Sequence, residues 1–154
     1  MDAEDLKDNV KSIVEKAAAL KDLHTTEKSA SVNYACIFSH SKEQYEELLD
    51  AAGRMGSVVK KTPTGLIFHI RPLKTVSGRL KLLKIRTPDP TRPELGDADF
   101  TVPDFPDFQA KYLSKRGFKL IERENSVMIE LMDPGFDVRA YFSNPPLDVQ
   151  LKIK

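Results

Sequence analysis

The second half of this chain repeats the order of predicted elements found in the first half. Each half shows a strand, an amphipathic helix and then three strands, with glycine and proline residues at the turns. When Gly56 is aligned with Gly117, the strand-like run 66–70 falls on 127–131. The strands that precede the two helices align when Asn33 is placed on Asp97. Accidental turn placement rarely produces two such units, so the repeat predicts an α+β fold made of two equivalent modules.

The predicted elements divide the chain into an added helix and one domain. The stripe of apolar residues along 2–20 predicts an N-terminal amphipathic helix, and residues 1–30 form this helix and its linker. The helix would pack on the domain or on a second subunit. Residues 31–154 form a single domain, with module 1 at 32–86, a proline-rich linker at 87–95, module 2 at 96–142 and a tail at 143–154. Apolar residues alternate in the tail, which predicts an added edge strand.

Length and composition indicate an ordinary globular protein. The chain has 154 residues, of which 40% are hydrophobic and 31% charged, enough for a core without metal or disulfide support. Its one cysteine, Cys36, lies in an apolar run and is expected to be a buried thiol. The acidic start, with no apolar run behind it, is unlike a signal peptide. No stretch reaches the roughly 20 apolar residues needed to cross a bilayer. We therefore expect a cytoplasmic protein with no membrane contact.

Positive charge is concentrated in the middle of the chain, although the net charge is only +1. Between residues 54 and 92 there is one acidic residue, Asp89, and ten basic residues: Arg54, Lys60, Lys61, Arg71, Lys74, Arg79, Lys81, Lys84, Arg86 and Arg92. This asymmetry fits a surface for phosphate or carboxylate partners. It equally fits a solvated sheet face that acidic neighbours balance after folding.

Three short segments carry a resemblance to a known family. Residues 97–104 (Asp-Ala-Asp-Phe-Thr-Val-Pro-Asp) open the second module, Gly117-Phe118-Lys119-Leu120 end its helix, and Asp133-Pro134-Gly135 precede its last strand. Together with the element order, they resemble the glyoxalase / vicinal-oxygen-chelate superfamily, which includes bleomycin-resistance-like proteins. The resemblance covers 32–142 and implies two βαβββ modules that curl into a cup around a ligand. A pair of ferredoxin-like α/β modules is the competing fold.

The same resemblance implies a metal site, but the residues at its positions are unsuitable. Enzymes of the superfamily commonly hold a divalent metal with His, Gln or Glu from the first and last strands of each module. The matching positions here are about Asn33 and Asp97 on first strands, and Lys84 or Arg86 and Arg139 on last strands. Cationic side chains cannot coordinate a metal and would repel one. We therefore expect a metal-free site with no cofactor, which argues against a metal-dependent lyase or dioxygenase.

Strand alternation predicts a candidate pocket inside the cup. The alignment of Gly56 with Gly117 also places His69 on Glu130, so these two would face one another if both point inward. A histidine opposite a glutamate can transfer protons, which makes the two a candidate acid–base pair. Alternatively, they are an ordinary pair on a solvated sheet face. The side chains expected to hold a carboxylate or phosphate ligand are Arg71, Lys84, Arg139 and Tyr141.

These patterns support three interpretations of function. The first is a metal-free protein that binds a small anionic molecule, with a divergent lyase or isomerase of the same superfamily as a variant of it. The second is a module whose basic face binds an acidic protein or nucleic acid, although nucleic acid is disfavoured because no exposed aromatics interleave with the basic residues. The third is structural, in which the first helix and the tail form a homodimer.

Overall fold

A computed structural model of the chain, describing residues 1–153, contains eight strands and four helices within that range. The final residue of the predicted tail, Lys154, lies outside the described residues. The elements in chain order are α1 (Ala3–His24), β1 (Ser31–Phe38), α2 (Lys42–Gly53), β2 (Gly56–Thr62), β3 (Gly65–Thr75), β4 (Gly78–Arg86), β5 (Gly96–Thr101), α3 (Phe105–Tyr112), β6 (Phe118–Glu122), β7 (Val127–Leu131), β8 (Val138–Asn144) and α4 (Leu147–Gln150).

The strands form one sheet in the order β2-β3-β4-β1-β5-β8-β7-β6. Within each module the first strand pairs in parallel with the last, β1 with β4 and β5 with β8. The modules join where β1 and β5 pair antiparallel, so the same order runs outward from this junction on both sides. The predicted α+β class and its paired βαβββ modules are confirmed, and the competing ferredoxin-like arrangement is wrong.

One face of the sheet carries the hydrophobic core. Alternate residues of the central strands, among them Ala35 and Ile37 of β1 and Ala98 and Phe100 of β5, belong to one apolar cluster with α1, α2 and α3. Because neighbouring residues in a strand point to opposite faces, the residues between them lie on the other side of the sheet. We call that side the inner face. Its central positions include Tyr34, Cys36, Asp97, Asp99, Arg139 and Tyr141.

The N-terminal helix packs on its own domain. The apolar stripe of α1 is buried against β1, β5 and β8 and belongs to the same core as the module helices. Asp2 caps its start and accepts a hydrogen bond from the Asp5 amide, as helix N-termini favour. The apolar face of α1 is therefore used within this chain. No helix within residues 1–153 combines the length and the apolar character that a membrane span requires.

The prediction of an edge strand in the tail is wrong. After Pro145 and Pro146 the chain turns into the short helix α4, which lies beside β1 instead of pairing with a sheet edge. Two hydrogen bonds hold it there: Asn33 Nδ2 donates to Asp148 Oδ1 at 2.8 Å, and the Asp148 amide donates to Asn33 Oδ1 at 3.1 Å. These tertiary contacts outweigh the alternating apolar pattern, which a single helical turn also accommodates.

Candidate functional site

The candidate site is a cavity of about 520 Å³ that both modules line. Module 1 contributes residues of β1, β2, β3 and β4, and module 2 contributes the β6–β7 turn and residues of β7 and β8. Among residues 1–153 its lining contains no Asp or Glu and six cations: Lys60, Lys61, Lys84, Arg86, Arg92 and Arg123. We call this hollow the cationic cavity. Six like charges around one small volume create a strongly positive potential inside it.

Strand β4 places two of these cations on the inner face. Lys84 and Arg86 alternate with Ile85 in the strand, so both side chains project to the same side. The Nζ atom of Lys84 donates to Thr64 Oγ1 at 2.6 Å, which fixes the end of the side chain. Burial lowers the pKa of Lys84, because a charged ammonium is less well solvated there.

The guanidinium groups of Arg86 and Arg92 are held by one aromatic ring. They lie 6.0 Å and 5.5 Å from the centroid of Phe38, within the range of cation–π attraction. Asp89 Oδ2 also lies 3.5 Å from Arg86 Nη2 and 3.9 Å from Arg92 Nε. The linker between the modules therefore brings Arg92 into the cavity wall beside the cations of β4.

Two carboxyl groups lie side by side on the inner face of β5. Asp97 and Asp99 are only 6% and 1% exposed, and within residues 1–153 the Oδ1 atom of each has no hydrogen-bond partner. Asp99 Oδ2 accepts a hydrogen bond from Ser143 Oγ. Burial raises the pKa of Asp99 to about 8 and that of Asp97 to about 7. The cations that limit the rise at Asp97 are Lys84, Arg92, Arg86 and Arg139.

These two carboxyl groups make the protein less stable as the pH rises. In the unfolded chain their pKa is near 3.8, so between about pH 4 and pH 8 the folded state binds more protons than the unfolded state. The contribution is complete below pH 4 and is lost as the pH rises through the folded-state pKa values. We expect the free energy of unfolding to fall by about 4 kcal/mol between pH 6 and pH 8, since the folded-state pKa values are about 7 and about 8.

Urea denaturation at several pH values measures this loss. In the double variant Asp97→Asn with Asp99→Asn, the decline between pH 6 and pH 8 should largely disappear, because neither side chain can ionise. The matched control is Asp8→Asn, which changes an exposed aspartate on α1 and should keep the wild-type decline. Equal declines in the double variant and the wild type would show that other groups cause the pH dependence.

A hydrogen-bond network formed by side chains of β7, β8 and the linker lies beside the two aspartates of β5. Arg139 donates from Nη1 to Glu130 Oε2 at 3.2 Å and from Nη2 to Glu94 Oε1 at 3.0 Å. Tyr141 Oη donates to Glu130 Oε2 at 2.6 Å and accepts from Arg92 Nη1 at 3.2 Å. Burial, together with Asp97 and Glu130, raises the pKa of Tyr141, so its hydroxyl stays protonated and can donate. The network connects the linker to the inner face of module 2.

The structure separates the other sequence-predicted site residues from this network. His69 and Arg71 line a shallow depression near Gly56, at the far side of module 1 from the network. No hydrogen bond joins His69 to Glu130 in the part of the chain that the structure describes, and the partners of Glu130 are Arg139 and Tyr141. The pairing of His69 with Glu130 as acid and base therefore stays a prediction that no observed contact supports. Of the predicted ligand-binding residues, Lys84 lines the cationic cavity, whereas Arg139 and Tyr141 belong to the network.

The residues at the family's metal positions do not fit a divalent metal. Within residues 1–153 there is no group of three or more His, Cys, Asp or Glu side chains that could hold one. Cys36 lies opposite Asp97 in the sheet, whereas Asn33 lies at the irregularity between Val32 and Tyr34. The four cations near Asp97 oppose a further positive charge there.

The alignment that placed Asn33 on Asp97 was wrong by a single position. The helix caps Ser41 and Asp104 follow these strands and occupy equivalent places in the two modules. When the caps are aligned, the partner of Asp97 is Tyr34, which lies on the inner face as Asp97 does. Asn33 itself lies at the irregularity between Val32 and Tyr34, and its side chain hydrogen-bonds to Asp148 of α4.

Sequence reasoning missed Asp99, Arg92 and Arg123 as site residues. The pattern Asp97-Ala98-Asp99 contained a signal, since carboxylates at alternate positions in a strand share a face. Arg92 lies in the linker and Arg123 in a turn, where periodicity gives no information. Only the closure of the two modules brings these arginines to one cavity.

Comparison with known proteins identifies the fold but no family by sequence. No protein-family model and no curated protein matches the chain. A solved structure described as the structural-genomics protein EC4020 has a TM-score of 0.75 at 11% identity, covering 97% of this chain and 91% of that chain. This likeness shows the fold, which is glyoxalase-like.

Two enzymes of known activity are more distant structural neighbours. Homoprotocatechuate 2,3-dioxygenase from B. fuscum has a TM-score of 0.44 at 12% identity, covering 85% of this chain and 39% of that chain. The 4-hydroxymandelate synthase from Streptomyces coelicolor has a TM-score of 0.33 at 12% identity, covering 77% and 50%. At these scores the likeness carries no argument about activity or metal content.

Proposed function

We propose that this protein binds a small anionic molecule in the cationic cavity, without a metal, as a divergent member of the glyoxalase / vicinal-oxygen-chelate superfamily. One observation carries the proposal: among the described residues, six cations and no carboxylate line a single cavity to which both modules contribute. The six cations repel one another, which is unfavourable. A bound anion would offset this repulsion through charge-assisted hydrogen bonds. The fold and the element order support the superfamily.

The size and the remaining lining of the cavity favour a small organic molecule. A volume of about 520 Å³ falls within the range of ordinary small-molecule sites. Ile67, Met128 and Leu147 add apolar surface between the cations. Such a site suits a compound with a carbon skeleton that carries one or more acidic groups, since the apolar side chains would contact the skeleton.

The basic residues are arranged less well for the alternative partners. Of the ten basic residues between 54 and 92, five line the cavity: Lys60, Lys61, Lys84, Arg86 and Arg92. A concave site of this size admits a small molecule more readily than a nucleic-acid duplex or a folded acidic protein. The basic-face interpretation therefore has less support than the cavity. It predicts binding of nucleic acid or an acidic protein instead of a small molecule.

Isothermal titration with citrate at low ionic strength tests the proposal. The double variant Lys84→Met with Arg86→Met should bind citrate at least 30-fold more weakly than the wild type, since each charge-assisted hydrogen bond contributes about 1.5–3 kcal/mol. The matched control is Lys74→Met with Arg79→Met, which removes one lysine and one arginine that pair across β3 and β4 outside the cavity lining. This control should bind within twofold of the wild type.

Two results would overturn the cavity proposal. One is no citrate binding by the wild type at millimolar concentration. The other is an equal loss in the control and the cavity variant, which would indicate a general charge effect. A parallel gel shift with duplex DNA at low salt separates the alternative, because phosphate-backbone binding would be strong there and fall steeply with added salt. Passing the wild type over a chelating resin before the titration should leave its affinity for citrate unchanged.

A further inference from the structure

The inner face contains buried polar atoms that nothing in residues 1–153 satisfies. They are two acceptors, Oδ1 of Asp97 and of Asp99, and two donors, Nε of Arg86 and of Arg139. Buried polar atoms in folded proteins nearly always have a hydrogen-bond partner, so each exception requires an explanation. All four lie on the inner face of the central strands β4, β5 and β8, and one of the four residues, Arg86, lines the cationic cavity.

Asp97 has the least satisfied carboxyl group of this set. Asp99 accepts a hydrogen bond from Ser143, whereas the Asp97 side chain takes part in no hydrogen bond within the described residues. Three of the cations whose charge acts on Asp97 are lining residues of the cavity: Lys84, Arg92 and Arg86. Cys36 of β1 is paired with Lys84 on one side and with Asp97 on the other, so Asp97 lies on the same face of the sheet two strands from a cation of the cavity.

A second carboxylate or phosphate could not occupy this position without repelling the ionised form of Asp97. An ammonium group would be repelled by the surrounding cations. A hydroxyl group avoids both problems, because it is neutral and can donate to a carboxylate or accept from a carboxylic acid. It therefore suits a carboxyl group whose pKa of about 7 gives it both forms near neutral pH.

We propose that the ligand of the cationic cavity is a hydroxy acid, whose acidic group binds Lys84 and Arg86 and whose neighbouring hydroxyl hydrogen-bonds to Asp97. This inference rests on the proposed anion-binding function and names the ligand class of that site. The hydroxyl fills the unsatisfied position at Asp97, and a second oxygen of the acidic group is available to the Nε donor of Arg86. An acid of equal charge without the hydroxyl leaves Asp97 unpaired and binds more weakly.

Citrate and tricarballylate test the inference, because they carry the same three carboxylates and differ only in one hydroxyl. Calorimetric titration of the full chain at pH 7 should give at least tenfold tighter binding of citrate. In Asp97→Ala this preference should fall to less than twofold, while tricarballylate binds as well as before or better, since a negative charge is gone. The matched control Asp50→Ala removes an exposed aspartate on α2 and should keep the full preference.

The outcomes separate this inference from the function on which it rests. If the wild type binds neither acid, the anion-binding function and the inference both fail. If it binds the two equally, the anion site stands and the hydroxy-acid inference is overturned. Retention of the citrate preference in Asp97→Ala would also overturn it. The variant Asp97→Asn, which keeps the shape and can still accept a hydrogen bond, should retain part of the preference, and thermal denaturation verifies that each variant is folded.

Discussion

Replacing Leu6 by alanine is expected to lower the free energy of unfolding by about 3 kcal/mol, because the side chain is completely buried in the main core. Leu6 lies on the apolar stripe of α1, which packs on β1, β5 and β8 behind the candidate site. The truncation loses the favourable free energy of burying the leucine side chain and leaves a cavity. Because α1 is packed along its whole apolar stripe, the helix cannot move to fill this cavity. Urea denaturation followed by circular dichroism measures the change.

Leu23→Ala is the matched control for this experiment. It makes the same chemical change on the same helix, but Leu23 is 66% exposed, so a loss of less than about 0.5 kcal/mol is expected. Similar losses at both positions would contradict the packing of α1 on its own domain. A harmless Leu6→Ala, combined with a change of mass in light scattering, would instead support the interpretation that the helix forms a homodimer.

The fold was predictable from the sequence where local geometry decides it. Gly65 and Gly78 begin β3 and β4 with φ of 151° and 103°, conformations that glycine adopts readily and other residues rarely do. Ser41 caps α2 by accepting a hydrogen bond from the Gln44 amide, as its position before an apolar stripe predicts. The helix caps recur at matching places in both halves, Ser41 before α2 and Asp104 before α3, and therefore the repeat was visible even though the two halves differ in sequence.

The candidate site was less predictable, because burial and closure depend on the whole fold. Alternating polar residues in a strand suggest a solvated face, yet Asp99 and Glu130 are buried on the inner face. The repeat related His69 to Glu130 by position, but it gave no information about competing partners. Glu130 is held by Tyr141 and Arg139, which are its neighbours on β8. The positive charge of residues 54–92 was evident, whereas its concentration in one cavity was not.

Replacing Arg139 by methionine is expected to lower the free energy of unfolding by about 4 kcal/mol, because a buried carboxylate that loses its cation typically costs about 3–5 kcal/mol. The guanidinium group, in a residue only 8% exposed, donates to Glu130 and Glu94. Its removal would leave Glu130 buried with Tyr141 as its remaining partner. Methionine keeps the length and apolar volume of the arginine stem, so the loss measured by urea denaturation reports mainly on the charge.

A double-variant cycle distinguishes this network from a ligand-binding role for Arg139. Adding Glu130→Gln to Arg139→Met should recover at least half of the loss, because the more deeply buried of the two carboxylates that lose Arg139 is then replaced by a neutral amide. The control Arg54→Met breaks an exposed ion pair with Asp50 on α2 and should cost no more than about 0.5 kcal/mol. If Arg139→Met were as mild as this control but abolished citrate binding, Arg139 would bind the ligand directly, as the sequence predicted. Unchanged citrate affinity together with a large stability loss would instead assign Arg139 to holding the inner face of module 2 in place.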